Sequence, residues 1–415
     1  MSKQKSYKNL VIIFFLGISS GLPLALILST LKVTLLQKGF DLKTIGLFSL
    51  VSIPYSIKFC FAPIIDSCCV PFLTKNFGQR KSWIILTQIL LAVFIFALGI
   101  ASIGNNLIAI TTFAILIAFA SASQDIVIDG YRIELIEKED QGLAASFYVY
   151  GYRIGMLISG ALALILADLI SWSAVYFIIA ALALSTILIT IFAKETRENF
   201  EQKSHDFTSW FKNSVINPFV DFARHDRWYV ILAFIICFKL GDAFAGNLTL
   251  PFLIKIGFNN IEIASIVKTF GLFATLFGVF IGGVLVKKIG LIKSLWIAAV
   301  MQMMSNLTFS YLASIGHNQN MLYLTIFIEN FSGGIGDAVF VAYLSNLCSV
   351  AFSATQYSLL VSFAAMARSV LTSGAGAFAE VLGWSQFFIF STFLAVPGLI
   401  FLLLLTKTNQ KILLK

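Results

Sequence analysis

Long apolar stretches recur along this chain, separated by short breaks rich in Gly, Asn, Lys and Arg. Twelve can be marked, at residues 10–31, 44–65, 83–103, 107–129, 142–167, 172–193, 228–254, 263–286, 294–314, 321–347, 354–379 and 385–406. Each is about as long as the roughly 20 residues an α-helix needs to cross a bilayer core. Backbone amides in hydrocarbon are satisfied only inside helices or closed barrels. The pattern therefore predicts an all-α membrane protein with twelve transmembrane helices. The first run follows Lys3, Lys5 and Lys8, as the core of a signal peptide would. It extends from Leu10 to Leu31 with no small-residue cleavage site, so it reads as the first transmembrane helix.

Composition agrees. Only 12% of residues are charged against 59% hydrophobic, about half the charge of a soluble domain. The net charge of +9 suggests nucleic acid as one partner class. The positions of the basic residues exclude it: of 29 Lys and Arg, 20 fall in alternate loops that include both termini, 4 in the opposite loops and 5 within spans. That bias places both termini and the central loop in the cytoplasm. The central loop, 194–227, has a polar opening followed by Phe207, Trp210, Phe211 and Val215 at helical spacing, which suits a short helix lying on the inner membrane surface. It divides the chain into a six-helix bundle at 1–193, a linker at 194–227 and a second bundle at 228–415. The halves echo each other: Gly39-Phe40 recurs as Gly257-Phe258, and Asp125 and Tyr131 recur as Asp337 and Tyr343. Two pseudo-symmetric six-helix halves around a central cavity resemble the arrangement of the major facilitator superfamily.

Ionisable groups inside spans cost roughly 2.5–3.5 kcal/mol each and mark pathways or pairs. Here they are Lys58, Asp125, Asp129, Arg153, Lys239, Asp242, Lys268, Glu329, Asp337 and Arg368. The third, sixth, ninth and twelfth spans carry none. In a major facilitator fold those are the helices that face lipid. Arg153, Lys239 and Glu329 lie roughly 18, 16 and 12 Å into their helices at 1.5 Å per residue, near the middle of the membrane. Arg153 and Lys239 suit the carboxylates or phosphates of a solute, with internal pairs Arg153–Glu329 and Lys239–Asp242 as the alternative. Asp125, Asp242 and Glu329 are candidates for proton coupling, because burial favours a carboxyl group that takes up a proton near neutral pH; permanent structural pairing is the alternative for each.

The stretch SASQDIVIDGYR (121–132) sets Asp125, Asp129 and Arg132 on one stripe at the inner end of the fourth span. Asp129 and Arg132 fall at the expected water boundary. They suit a gate with Asp66, Arg80 and Lys81 across the neighbouring loop, or simply a solvated helix end.

This stretch also resembles the helix 4 signature of the AmpG muropeptide permeases, a major facilitator family. The likeness extends in order through GLPLAL (21–26), DLKTIGLFSLV (41–51), KFCFAPIIDSCCVPFL with GQRKSW, GYRIGMLISGALAL (151–164), KLGDAFAGNLTLPFLIKIGF (239–258), ENFSGGIGDAVFVAYLSNLC (329–348) and SATQYSLLVSFAAMARS (353–369). It implies a carrier of the bacterial inner membrane. Such a carrier imports N-acetylglucosaminyl-1,6-anhydro-N-acetylmuramic acid, free or bearing short peptides, from periplasm to cytoplasm on the proton-motive force. Arg153 and Lys239 would receive carboxylates of the solute, with Glu329 beside them, and the aromatics Tyr148, Tyr152 and Phe244 would stack on its sugar rings. The chain departs from the family at SCC after Asp66, where a basic residue is common, at Gly130, where Ala is usual, and at Asp337, where a small or hydroxylated residue is expected. Some family members also carry hydrophobic segments beyond the twelfth helix.

Two other readings stay open. One is a carrier of a different anionic metabolite on the same fold, such as a nucleotide-linked solute. The other is a membrane sensor. An enzyme is not expected. The histidines, His205, His225 and His317, all lie in predicted loops away from the buried carboxylates, and neither HExxH nor GxSxG occurs. The five cysteines show neither a disulfide framework nor zinc spacing. The expected partners are therefore a muropeptide-like anionic solute, protons and the bilayer, with no cofactor, no metal and a monomeric chain.

Overall fold

The computed structural model describes residues 3–104, 106–197 and 206–408. Ten helices among them are long and apolar enough to span a membrane: α1 (Tyr7–Gln37), α3 (Gln79–Ile103), α4 (Leu107–Leu135), α5 (Lys138–Ala167), α6 (Trp172–Phe192), α7 (Trp228–Lys255), α8 (Ile263–Ile289), α10 (Gln319–Leu347), α11 (Val350–Leu382) and α12 (Trp384–Lys407). The segment α9 (Leu291–Ile315) is a continuous helix of 25 residues but less apolar. The segment α2 (42–67) differs from the single helix expected. It is a chain of short α and 3₁₀ turns, Leu42–Leu47, Phe48–Ser52, Ile53–Ser56, Lys58–Cys60 and Ala62–Ser67. Pro54 and Pro63 supply a physical reason: each lacks the N–H that would carry the helical ladder across the break.

Side-chain caps set several helix starts. Asn106 Oδ1 accepts from Ala109 N at the head of α4, and Ser171 Oγ accepts from Ala174 N at the head of α6. Before α8 the sequence NNIE makes a reciprocal box: Asn259 Oδ1 accepts from Glu262 N, and Glu262 Oε2 accepts from Asn259 N. The Gln319 side chain, the Asn259 amide and His317 together hold the Glu262 carboxyl down to about 2 from its ordinary 4.5. This clasp is therefore complete above pH 4.5 and is lost as pH falls through about 2. The α3 helix begins after Gly78, whose φ of 80° favours glycine. Its first amides, of Arg80 and Lys81, donate to the Glu195 carboxylate at 3.3 and 2.9 Å.

The chain gathers into two compact units. The first comprises Met1–Glu137, Phe147–Asp221 and Cys348–Ser362; the second comprises Lys138–Ser146, Phe222–Leu347 and Phe363–Lys415. In the first unit a core of Leu26, Ile27, Leu91, Ile95, Ile117, Tyr176 and Ile179 joins α1, α3, α4 and α6. In the second, Phe252, Phe309, Leu322, Phe387 and Phe388 join α7, α9, α10 and α12. The helices of the third, sixth, ninth and twelfth spans, whose ionisable groups lie only in their end turns, show large apolar side chains to the outside: Val93, Phe96 and Ile100 on α3, Leu184 and Leu188 on α6, Val300 and Met304 on α9, and Ile400 and Leu403 on α12. Faces of that kind suit lipid.

After the described part of the linker resumes, residues 207–223 form a helical segment with a π turn at Lys212–Ile216. Phe207, Phe211, Phe219 and Val220 are exposed, as an interfacial helix requires. Trp210 instead turns toward the protein, its Nε1 donating to Ser67 Oγ at 2.9 Å. The linker's polar opening at 198–205, with His205, lies outside the described residues.

Within the first unit α1 and α5 touch backbone to backbone. A Cβ on Gly151 would lie 1.9 Å from Phe14 O, and one on Gly21 would lie 2.1 Å from Tyr152 O. Gly17 and Gly155 are nearly as close to their neighbours. Each helix thus brings a GxxxG pair to the contact, the small-residue packing that membrane helices favour. Gly151→Val should lower the thermal unfolding temperature in detergent, with a loss of about 1–3 kcal/mol typical of overpacking. Gly160→Ala, whose Cβ meets only Ala25 Cβ at 3.6 Å, should leave that temperature unchanged or slightly raised.

Candidate functional site

In the first unit the α4 stripe is buried. Asp125, Asp129 and Arg132 are 7, 5 and 0% exposed, so the expectation of a solvated end at Asp129 and Arg132 is corrected. Arg132 Nη2 reaches Asp129 Oδ1 at 3.4 Å, and its guanidinium lies over the rings of Tyr148 and Tyr357, 5.6 and 5.3 Å from their centroids. Planar, delocalised cations tolerate burial best in this company. Lys58, itself buried, acts electrostatically on both Asp125 and Asp129. Asp125 Oδ1 has no hydrogen-bond partner among the described residues. Tyr148 and Tyr152 stand one turn apart on α5, with ring centroids 6.0 Å apart, and Arg153 follows, half-buried.

The expected gate of Asp66, Arg80, Asp129 and Arg132 is two separate constellations. Arg80, fully buried, donates from Nη2 to Asp66 Oδ1 and to Glu134 Oε1, each at 2.6 Å. Arg197 Nη2 meets Glu134 Oε1 at 2.7 Å, and its Nη1 donates to Asp66 O at 2.9 Å. Ser353 Oγ donates to Glu134 Oε1 at 2.6 Å, and Thr355 N donates to Asp66 Oδ2 at 2.9 Å. Two guanidinium groups and two carboxylates thus balance in charge and fasten α3, α4 and the linker to the first turn of α11. Lys81 takes no part: its Nζ donates to Ile191 O. Glu134 and Arg197 escape a reading of the sequence because both look like ordinary loop charges. Only the folded chain shows Glu134 accepting from Arg80 and Arg197 donating to the Asp66 carbonyl. Gly130 acquires a reason here, since a Cβ there would lie 2.8 Å from Ala354 Cβ and 3.1 Å from Arg80 Nη2.

In the second unit α7 is discontinuous, formed of Trp228–Cys237, Leu240–Gly246 and Thr249–Lys255. Lys239 sits at the first break, with φ −112° and ψ 14°. Pro251, which has no N–H to give to residue 247, accounts for the second. Lys239 Nζ forms an ion pair with Asp337 Oδ1 of α10, rather than the Lys239–Asp242 pair held open as an alternative. Asp242 lies within electrostatic reach of both members of that pair, Glu329 within reach of Asp242, and Arg368 within reach of Asp337. Helices α7, α10 and α11 thus gather two cations and three carboxylates at one place. Asp242 Oδ1 and Arg368 Nη1 are buried without hydrogen-bond partners among the described residues. Asn330 Oδ1, next in chain to Glu329, accepts from Thr275 Oγ1 at 2.9 Å.

Two expected members do not join. Phe244 is 3% exposed and packs against Phe378, Phe387 and Phe390; its ring has no face to offer a solute, and its role is core packing. Lys268 is exposed on the π-helical opening turns of α8. No group of three or more metal-ligating side chains occurs among the described residues.

The Major Facilitator Superfamily model matches residues 12–370. The anhydromuropeptide permease of Escherichia coli K12 is 41% identical over 401 residues, 96% of this chain and 80% of that protein. Among solved structures, the Escherichia coli fucose:proton symporter FucP superposes with a TM-score of 0.69 at 16% identity, over 98% of this chain and 99% of that one. The proton:xylose symporter XylE superposes at 0.66 and 12% identity, over 98 and 96%. At such low identity these two structures speak for the fold alone.

Glu134→Gln removes the negative charge shared by Arg80, Arg197 and Ser353 and leaves one carboxylate for a fully buried and a half-buried guanidinium. Breaking a buried pair in this way costs about 3–5 kcal/mol. Thermal unfolding in detergent should fall accordingly, whereas Lys287→Gln, at the exposed pair with Asp140, should change it little.

Proposed function

The chain belongs to the Major Facilitator Superfamily and, within it, to the AmpG-type permeases, and from that premise we propose that it imports anhydro-muropeptides, N-acetylglucosaminyl-1,6-anhydro-N-acetylmuramic acid and its peptides, in symport with protons. The 41% identity to the anhydromuropeptide permease across 96% of the chain carries this reading. The geometry supports it. Arg153 on α5 is a half-buried cation at mid-span, and charge-assisted hydrogen bonds from such a group to carboxylates are the strong ones; Lys239, half-buried at the break of α7 and paired with Asp337, offers a second polar contact to the solute. Tyr152, half-buried beside Arg153, offers a ring to a sugar face. Asp125 and Asp242 each keep a buried carboxylate oxygen free of hydrogen bonds, as a group that alternates between charged and protonated forms requires, and Glu329 stands beside Asp242. The Asp66–Arg80–Glu134–Arg197 network and the Asp129–Arg132 pair act as latches that open and close during the cycle. The protein resides in the bacterial inner membrane with both termini in the cytoplasm and works as a monomeric carrier, not an enzyme. His225 is engaged with Phe222 O and His317 with the Glu262 carboxylate.

A second reading, a carrier of another anionic metabolite on the same fold, draws on Arg153, a half-buried mid-span cation that would receive any anionic group.

Purified protein in liposomes should accumulate radiolabelled anhydro-muropeptide when the outside is more acidic, and should only equilibrate it without a gradient. A nucleotide-linked anion that accumulates instead would select the second reading. Asp125→Asn should abolish gradient-driven accumulation while sparing solute counterflow; unchanged accumulation would exclude Asp125 as the coupling group. Arg153→Ala and Lys239→Ala should each reduce kcat/KM by roughly tenfold or more, since a hydrogen bond to a charged group contributes about 1.5–3 kcal/mol.

A further inference from the structure

The second unit's charged cluster carries one carboxylate more than its cations balance. Lys239 and Arg368 face Asp242, Glu329 and Asp337. Asp337 takes the closest position, in direct ion pair with Lys239 and within reach of Arg368. Its side chain is 32% exposed and that of Lys239 18%, so both can be met from outside the protein core. An arriving carboxylate that seeks Lys239 therefore finds an anion already there. It must displace Asp337 into the neighbourhood of Asp242 and Glu329, or remain beside it as a like charge. Either arrangement is costly, as like charges set side by side in a binding site cost several kcal/mol. A hydroxyl or an amide meets no such opposition, because it can donate to Asp337 and accept from Lys239 with the pair intact.

We propose that Asp337 is a resident counter-ion of Lys239 that sets this carrier against the more acidic members of its solute series, so that it prefers solutes whose groups near Lys239 are hydroxyls or amides. The proposal rests on the reading of the chain as a muropeptide carrier and names the subset of that class it takes. Selection of this kind works by repulsion of the wrong solute as much as by attraction of the right one.

The test uses the full-length protein in liposomes and uptake of the radiolabelled peptide-free disaccharide. Competitors are the same disaccharide bearing a short peptide, once with free carboxylates and once with those carboxylates amidated. The unaltered protein should be inhibited by the amidated competitor at a concentration roughly tenfold lower than by the free acid, a ratio equal to about 1.4 kcal/mol. Asp337→Asn should erase or reverse that order, and Asp337→Glu should keep it. A free acid that competes as well as the amide against the unaltered protein would overturn the proposal. So would a folded, transporting Asp337→Asn protein that keeps the order. The comparison on unaltered protein decides the matter even if Asp337→Asn fails to fold. Absence of any uptake of the disaccharide would remove the muropeptide reading itself and the proposal with it, whereas uptake with an order unmoved by Asp337→Asn removes the proposal alone.

Discussion

A chain this apolar must account for every charge it buries, and that requirement shapes the rest of the molecule. Arg80 and Arg132 are fully buried, and a lone guanidinium in such a place would cost several kcal/mol. Each is met differently. Arg80 shares Asp66 and Glu134 with Arg197, in a network closed by Ser353 and the amide of Thr355. Arg132 has one carboxylate, Asp129, and two aromatic faces. The first arrangement is densely bonded, with Arg80 Nη1 alone of that guanidinium's nitrogens left without a hydrogen-bond partner among the described residues.

The same requirement explains where the helices break. A regular helix satisfies its own backbone but directs side chains at fixed angles. Placing Lys239 against Asp337 of α10 coincides with an interruption of α7 at Lys239 itself. A second break follows at Leu248, three residues ahead of Pro251. In α2 the two prolines dissolve regularity altogether, and the buried Lys58 and Asp66 emerge from adjoining short turns. Irregular backbone at membrane depth is tolerated where protein or water surrounds it; these breaks sit beside charged positions, while α12 is interrupted at Ala395, two residues ahead of Pro397. The glycine contact between α1 and α5 has the complementary effect. By bringing the two backbones together it fixes the helix that carries Tyr148, Tyr152 and Arg153.

The charged groups that suit transport differ in kind from those that suit structure. Glu134, Arg80 and Arg197 are bonded on nearly every side. Asp125 and Asp242 each retain a buried oxygen with nothing bonded to it. Stability alone gives no reason to keep such an oxygen in the protein interior. Asp337 differs from both, an anion in direct ion pair with Lys239 and still partly exposed.

Much of this was already determined by the one-dimensional order of residues. The apolar runs specify spans because hydrocarbon thickness sets their length. The names of most site residues follow too, because an ionisable side chain in a span is conspicuous wherever it ends up pointing. The partners did not follow. That Lys239 meets Asp337 and not Asp242, that Arg80 leans on Glu134 rather than on Asp129, and that Phe244 is enclosed by three other rings all depend on which faces the neighbouring helices present. Helix periodicity fixes angles along one element and says nothing of rotation between elements. Those rotations are set by close packing of side chains from distant parts of the chain, so they exist only once the tertiary structure has formed.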